Sequence, residues 1–296
     1  MSASDDEATI ESSRAPLMDH LVELRRRLIT CAIALAIGFG VCFYFAKEIY
    51  LLLLQPFEVA ATLMASQKAT GVNHSAFDPL LVLIGMKAGV HPTEQLKLVF
   101  TAPLEFFFTK VKLAGFGAVI LTFPVTAWQL YRFVAPGLYK RERRAFLPFL
   151  VASPLLFVAG AAMVYFMIMP FLLWFSLSQQ IVAVKGISVE LLPKVSEYFD
   201  QVLTLLLAFG LGFQLPVILA LLGMAGLVNS KMLMSGWRFA VAGVVVVAAF
   251  ITPPDPISQI LLSVPVVGLY FASVGCVWLI ERGRRHEDDA RDLTVV

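Results

Sequence analysis

The chain has 296 residues, 59% of them hydrophobic and only 15% charged, with a net charge of +2. Soluble globular domains carry about 25% charged residues, so this composition excludes an ordinary soluble enzyme or binding module. The apolar residues come in long blocks without the alternation of a transmembrane barrel, and an open sheet cannot span lipid, which leaves an all-α polytopic membrane protein.

Residues 1–16 are polar, acidic and rich in Ser and Ala, and are expected to form a disordered arm. In residues 17–28, LMDHLVELRRRL, His20, Glu23 and Arg27 share one helical face while Leu17, Leu21, Leu24 and Leu28 share another, the pattern of an amphipathic helix at the membrane interface. A first span follows over 28–46, close to the roughly 20 residues a bilayer demands, and reads as retained rather than cleaved. Residues 47–105 form a long outer loop. It opens with an amphipathic run and a turn at Gln55-Pro56, and holds an apolar piece at 80–90 that is too short to cross. Glu105 then precedes an aromatic cluster, and a second span runs over 106–131 with a kink at Pro124.

The polar stretch 131–146, YRFVAPGLYKRERRAF, separates two spans. Arg132, Lys140, Arg141, Arg143 and Arg144 place it on the cytoplasmic side. Glu142 is a lone carboxylate among these cations, and orienting the loop does not require it. One reading is neutralisation of its own neighbours through exposed pairs, each contributing about 0.2–1 kcal/mol. The other is that it receives a cationic group from outside.

The third span covers 146–175, a second outer loop 176–200 and the fourth span 201–222. Gln214 lies mid-span before Pro216. It either donates to a carbonyl that Pro216 leaves unpaired in its own helix, or faces a groove that a substrate enters. The fifth run, 236–251, reaches about 24 Å against a hydrocarbon core of about 30 Å. A tight hairpin, Thr252-Pro253-Pro254-Asp255-Pro256, leads to the sixth run, 257–280, and the fifth and sixth helices are expected to be short. Asp255 suits an N-cap of the sixth helix. Gln259, one turn in and near Thr252, could bond a neighbouring protein's helix. Residues 283–296 form a cytoplasmic tail, so 17–282 make a single transmembrane domain. All arginines fall on the inner side and only lysines on the outer, giving six helices with both ends inside.

There is no G-x-x-x-x-G-K-[ST], no H-E-x-x-H and no nucleophile–base pair. No enzyme activity, cofactor, metal or nucleic acid is therefore expected. Cys31, Cys42 and Cys276 sit in apolar runs and read as packing residues.

Four segments together resemble one family: HLVELRRRL at 20–28, FVAPGLYKRERRAF at 133–146, FGLGFQLPV at 209–217 and ITPPDPISQ at 251–259. The chain resembles TatC, the multi-spanning core of the twin-arginine protein translocase. The resemblance implies a subunit of the bacterial cytoplasmic membrane that binds twin-arginine signal peptides of folded precursors. It also implies TatA- and TatB-like single-span partners, a homo-oligomer within the complex, and transport driven by the protonmotive force. The family's signal-binding residues match Glu23, Phe133 and Glu142, and its outer-loop proline matches Pro56. Glu23 can take part only if the helix at 17–28 folds back beside the 131–146 stretch. Gln214 stands where the family often has an acid, which puts a protonation role there in doubt. The alternative from sequence physics is a small-solute secondary transporter, but that class shows inverted repeats and midplane ionisable pairs. Neither is visible here.

Overall fold

A backbone inside lipid must satisfy its polar groups within its own segment, and the apolar blocks accordingly fold as helices. The computed structural model describes residues 3–70, 98–134, 142–184, 187–189, 193–251 and 256–292. In chain order these form α1 (Ala3–Tyr44), α2 (Ala46–Thr70), α3 (Glu105–Val134), α4 (Glu142–Met163), a π-turn (Val164–Ile168) and α5 (Met169–Ser178). An antiparallel hairpin of β1 (Ile181–Val184) and β2 (Ile187–Val189) follows, then α6 (Val195–Gly212), α7 (Leu215–Met224), α8 (Ser230–Ser235), α9 (Trp237–Ile251) and α10 (Pro256–Asp292).

Among the described residues, 5 stretches are long and apolar enough to cross a bilayer: Leu21–Tyr44, Glu105–Phe133, Val151–Ser178, Val195–Met224 and Gln259–Gly283. Large apolar side chains stay exposed along them, including Ile33, Ile37, Leu121, Leu155 and Val264. Soluble monomers rarely expose apolar patches beyond a few hundred Å², so these faces belong against lipid. The chain is a membrane protein. The remaining apolar helix, α9, has 15 residues and reaches about 22 Å, short of a full crossing.

α1 runs unbroken from Ala3 to Tyr44, so the helix at 17–28 continues directly into the first span. Two expectations are corrected. The sixth helix is not short: α10 has 37 residues, and its apolar part alone has 25. Gln55-Pro56 is not a turn, since Pro56 lies inside α2 and is fully buried. A proline has no N–H and leaves the carbonyl one turn earlier without its helical partner. Here that carbonyl is Leu52 O, and the Tyr165 hydroxyl, from the π-turn, donates to it at 2.8 Å. The Tyr198 hydroxyl of α6 donates to the next carbonyl, Leu53 O, at 2.6 Å. Two phenols thus hold α2 across the end of the bundle.

The main core joins α2, α3, α4, the π-turn, α5 and α6 around Phe57, Leu113, Val164, Phe199 and Phe209. Small residues set the closest approaches. A Cβ at Gly160 of α4 would lie 2.6 Å from the Phe209 carbonyl oxygen and 2.9 Å from the Phe213 ring. A Cβ at Gly210 of α6 would lie 2.7 Å from the Phe157 ring. On the other side α1 packs antiparallel along α3, with Gly38 against Ala118 and Thr122, and Cys42 against Gly117. Gly226 ends α7 with φ of 71°, and Leu227 N donates back to Leu222 O at 3.0 Å, the glycine-terminated cap of a helix.

The starts of α3 and α6 are tied at the end that carries α2. Glu105 accepts from Thr101 N at 2.8 Å and Ala102 N at 3.2 Å, and across to Ser196 N of α6 at 3.0 Å. Lys112 of α3 pairs with Asp200 of α6 at 2.7 Å. The apolar piece at 80–90 and the hairpin at 252–255 lie outside the described residues.

Candidate functional site

At the other end of the bundle, antiparallel packing sets the first turns of α1's apolar stretch beside the last turn of α3. Glu23 therefore lies on the stretch of α1 that packs beside the end of α3. A cavity of about 250 Å³ opens there, lined by Glu23, Arg26, Arg27 and Thr30 of α1 and by Gln129 and Arg132 of α3. Glu23 Oε1 accepts from Arg27 Nε at 3.1 Å and also from Arg27 Nη2. Arg27 Nη1 reaches Gln129 Oε1 at 3.4 Å, so one guanidinium bridges the two helices. The lining is one carboxylate against three guanidiniums. Its long-range field is positive, and any attraction for a cation must come from short-range bonding to Glu23.

Phe133 follows Arg132 on the same last turn of α3 and is half-buried. Glu142 is the first residue of α4. Residues 135–141 and the Glu142 side chain lie outside the described residues. The structure thus places Glu23 and Phe133 at one end of the bundle, with α4 starting at Glu142.

Gln214 occupies the joint between α6 and α7 and is only 8% exposed. Its Oε1 accepts from the Ser153 hydroxyl at 2.7 Å, and its Nε2 donates to the Ser153 carbonyl at 2.9 Å. The partner is on α4, not one turn back in its own helix as the local reading expected, and both ends of the amide are engaged rather than open to a groove. Ser153→Ala and Gln214→Leu should each lower thermal stability in detergent by about 1–2 kcal/mol. The double change should cost little more than the worse single one, because removing both partners leaves no orphaned polar group. Strictly additive losses in a thermal-shift cycle would show that the bond contributes nothing.

Gln259 is half-buried on α10 and donates to Val245 O of α9 at 3.2 Å, so within the chain it closes the α9–α10 pair. Thr252 and Asp255, expected beside it, lie outside the described residues. Among the described residues there is no group of three or more His, Cys, Asp or Glu that could hold a metal ion.

Sequence and fold comparisons place the chain among known proteins. The family model described as Sec-independent protein translocase protein (TatC) matches residues 19–265. The chain belongs to the TatC family. The TatC of Magnetococcus marinus is 34% identical over 94% of this chain and 90% of its own length. The Escherichia coli TatC is 32% identical over 92% of each. A solved crystal structure of the twin arginine translocase receptor TatC superposes with a TM-score of 0.64 at 30% identity, covering 87% of this chain and 97% of that one.

Residue type alone points to Glu142 and Gln214, and the TatC-family resemblance adds Glu23 and Phe133. They did not reveal Arg27, Gln129 or Ser153 as their neighbours. Arg27 carried one available signal, since it lies four residues after Glu23 on a helix, the spacing at which opposite charges meet. Gln129 and Ser153 carried none, because each acts through a helix-to-helix register.

Proposed function

We propose that this chain is the receptor and core subunit of a bacterial Tat translocase in the cytoplasmic membrane. It binds the twin-arginine signal peptide of a folded precursor at its cytoplasmic end. It works with TatA- and TatB-like single-span proteins in a complex that contains several copies of the chain and draws on the protonmotive force. It is not an enzyme and uses no cofactor. The observation that carries this reading is the cavity where Glu23 meets the end of α3, next to Phe133 and with α4 beginning at Glu142. A carboxylate in a confined polar cavity recognises a guanidinium by paired charge-assisted hydrogen bonds, which a lysine ammonium cannot match. Further support comes from the related solved structure, which is that of a twin arginine translocase receptor. The end of the short α9, with Gln259, Thr252 and Asp255, is the proposed place for a partner's single helix, because hydrophobic mismatch favours association there.

A photo-crosslinker at Phe133 should capture a twin-arginine precursor in native membranes and should lose that product when the signal's arginines are both replaced by lysine. Capture of both precursors alike would remove the reading. The accompanying topology is six spans with both ends inside. A cysteine at Asn73 or Lys185 should label from outside intact cells, whereas one at Lys140 should label only after permeabilisation. Labelling at Lys140 in intact cells would invert the layout.

A further inference from the structure

The carboxylate proposed to read an incoming arginine is already holding one. Arg27 places both Nε and Nη2 on Glu23 Oε1, so the chain supplies from its own helix the group a signal peptide would bring. The Arg27 side chain is largely buried, at 16% exposed, whereas that of Glu23 stays open at 36%. Arg27 also has a second acceptor at hand, the neutral Gln129 Oε1 across the cavity. A guanidinium shared between a charged and a neutral acceptor can release the first and keep the second. Arg26 and Arg132 line the same cavity, so with Arg27 it already holds three guanidiniums, and an incoming arginine must take Glu23 from one of them.

We propose that Arg27 is an internal competitor: it occupies Glu23 in the resting chain, and a signal-peptide arginine must displace it toward Gln129 to bind. This rests on the proposed signal-binding role of Glu23. The arrangement makes binding selective as well as weaker. A ligand that forms a single contact with Glu23, such as a lysine ammonium or a lone arginine with no second anchor, cannot outcompete a tethered guanidinium. A twin-arginine peptide anchored elsewhere on the protein can. Affinity is reduced by the fraction of time Glu23 is engaged, so removing the competitor should strengthen binding.

The test is equilibrium binding of a fluorescent synthetic twin-arginine signal peptide to the full-length chain in lipid nanodiscs. Arg27→Gln should bind roughly threefold to tenfold more tightly than the unmodified chain. Arg27→Lys should fall between them. A twin-lysine peptide should gain proportionately more than the twin-arginine one, so that discrimination narrows. Because removing a positive charge would also tighten binding of a cation, the gain counts as competition only where it vanishes once Glu23→Gln is added. Unchanged or weaker binding in both Arg27 variants overturns the proposal. Glu23→Gln separates the two levels of argument. If it weakens binding in the unmodified chain while the Arg27 variants show no gain, only the competitor is lost. If Glu23→Gln leaves binding unchanged, the role of Glu23 fails and the competitor fails with it. A gain in Arg27→Gln that persists when Glu23→Gln is added also overturns the proposal, because the effect then does not run through Glu23.

Discussion

Glu142→Gln should weaken binding of a twin-arginine signal peptide by one to two orders of magnitude. A charge-assisted hydrogen bond in a partly desolvated site contributes about 1.5–3 kcal/mol, and each 1.4 kcal/mol is about tenfold in affinity. The sign depends on what surrounds the carboxylate. Arg141, Arg143 and Arg144 flank it in sequence, so the local field repels a cationic peptide and only a direct fork of bonds can overcome it. Glu142→Arg removes the fork and adds repulsion, and should be more severe than Glu142→Gln. Glu23→Ala should be milder than either, because its loss also takes away the anchor of the competing Arg27, which can then rest on Gln129. Binding measured as a double-mutant cycle decides the matter. Replacing the signal's arginines by lysines should cost much less in the Glu142→Gln background than in the unmodified chain. Purely additive losses would mean that Glu142 never touches the arginines and serves to neutralise its own neighbours.

Gly160→Val should prevent the chain from assembling its core. The added Cβ alone would lie 2.6 Å from the Phe209 carbonyl oxygen, and a backbone atom in the last turn of α6 cannot swing aside as a side-chain tip can. Relief requires α4 and α6 to separate, which would break the contacts between Phe157 and Gly210 and move Ser153 away from Gln214. Overpacking of cores costs about 1–3 kcal/mol when side chains can adjust, and occasionally more; against a backbone carbonyl the larger end applies. The variant should be largely absent from membranes or aggregate on extraction with mild detergent. Gly268→Ala is the matched control, because nothing lies within 4 Å of the position its Cβ would take. Equal recovery of the two variants would show that α4 and α6 do not pack as described.

Much of this arrangement is written locally in the chain. Apolar blocks mark the spans, since nothing else can satisfy a backbone in lipid, and Gly226 ends α7 by a rule that needs only the residues beside it. What is not local was not legible. Pro56 read as a turn because the group that repairs its broken ladder is Tyr165, more than a hundred residues later in the chain. Gln214 read as either a kink repair or a groove residue. Which helix it meets depends on the α4–α6 register, and that register is set by Gly160 and Gly210 fitting around Phe209 and Phe157. The length of α10 was underestimated because its charged last turns continue the helix rather than ending it. Glu23 is marked only by the family resemblance, and its partner Arg27 is fixed by the α1–α3 register that sets Gln129 across the cavity.

The unbroken course of α1 has a mechanical consequence. From Glu23 to Tyr44 the helix has no proline and no interruption, a rod of about 32 Å. A rod of that length cannot shift at one end alone. Any tilt imposed on Glu23 must reappear, in the opposite sense about its contact with α3, at the Tyr44–Ala46 joint where α2 begins. The two ends of the bundle are therefore linked by one continuous helix, which comes closest to α3 where Gly38 lies against Ala118 and Thr122.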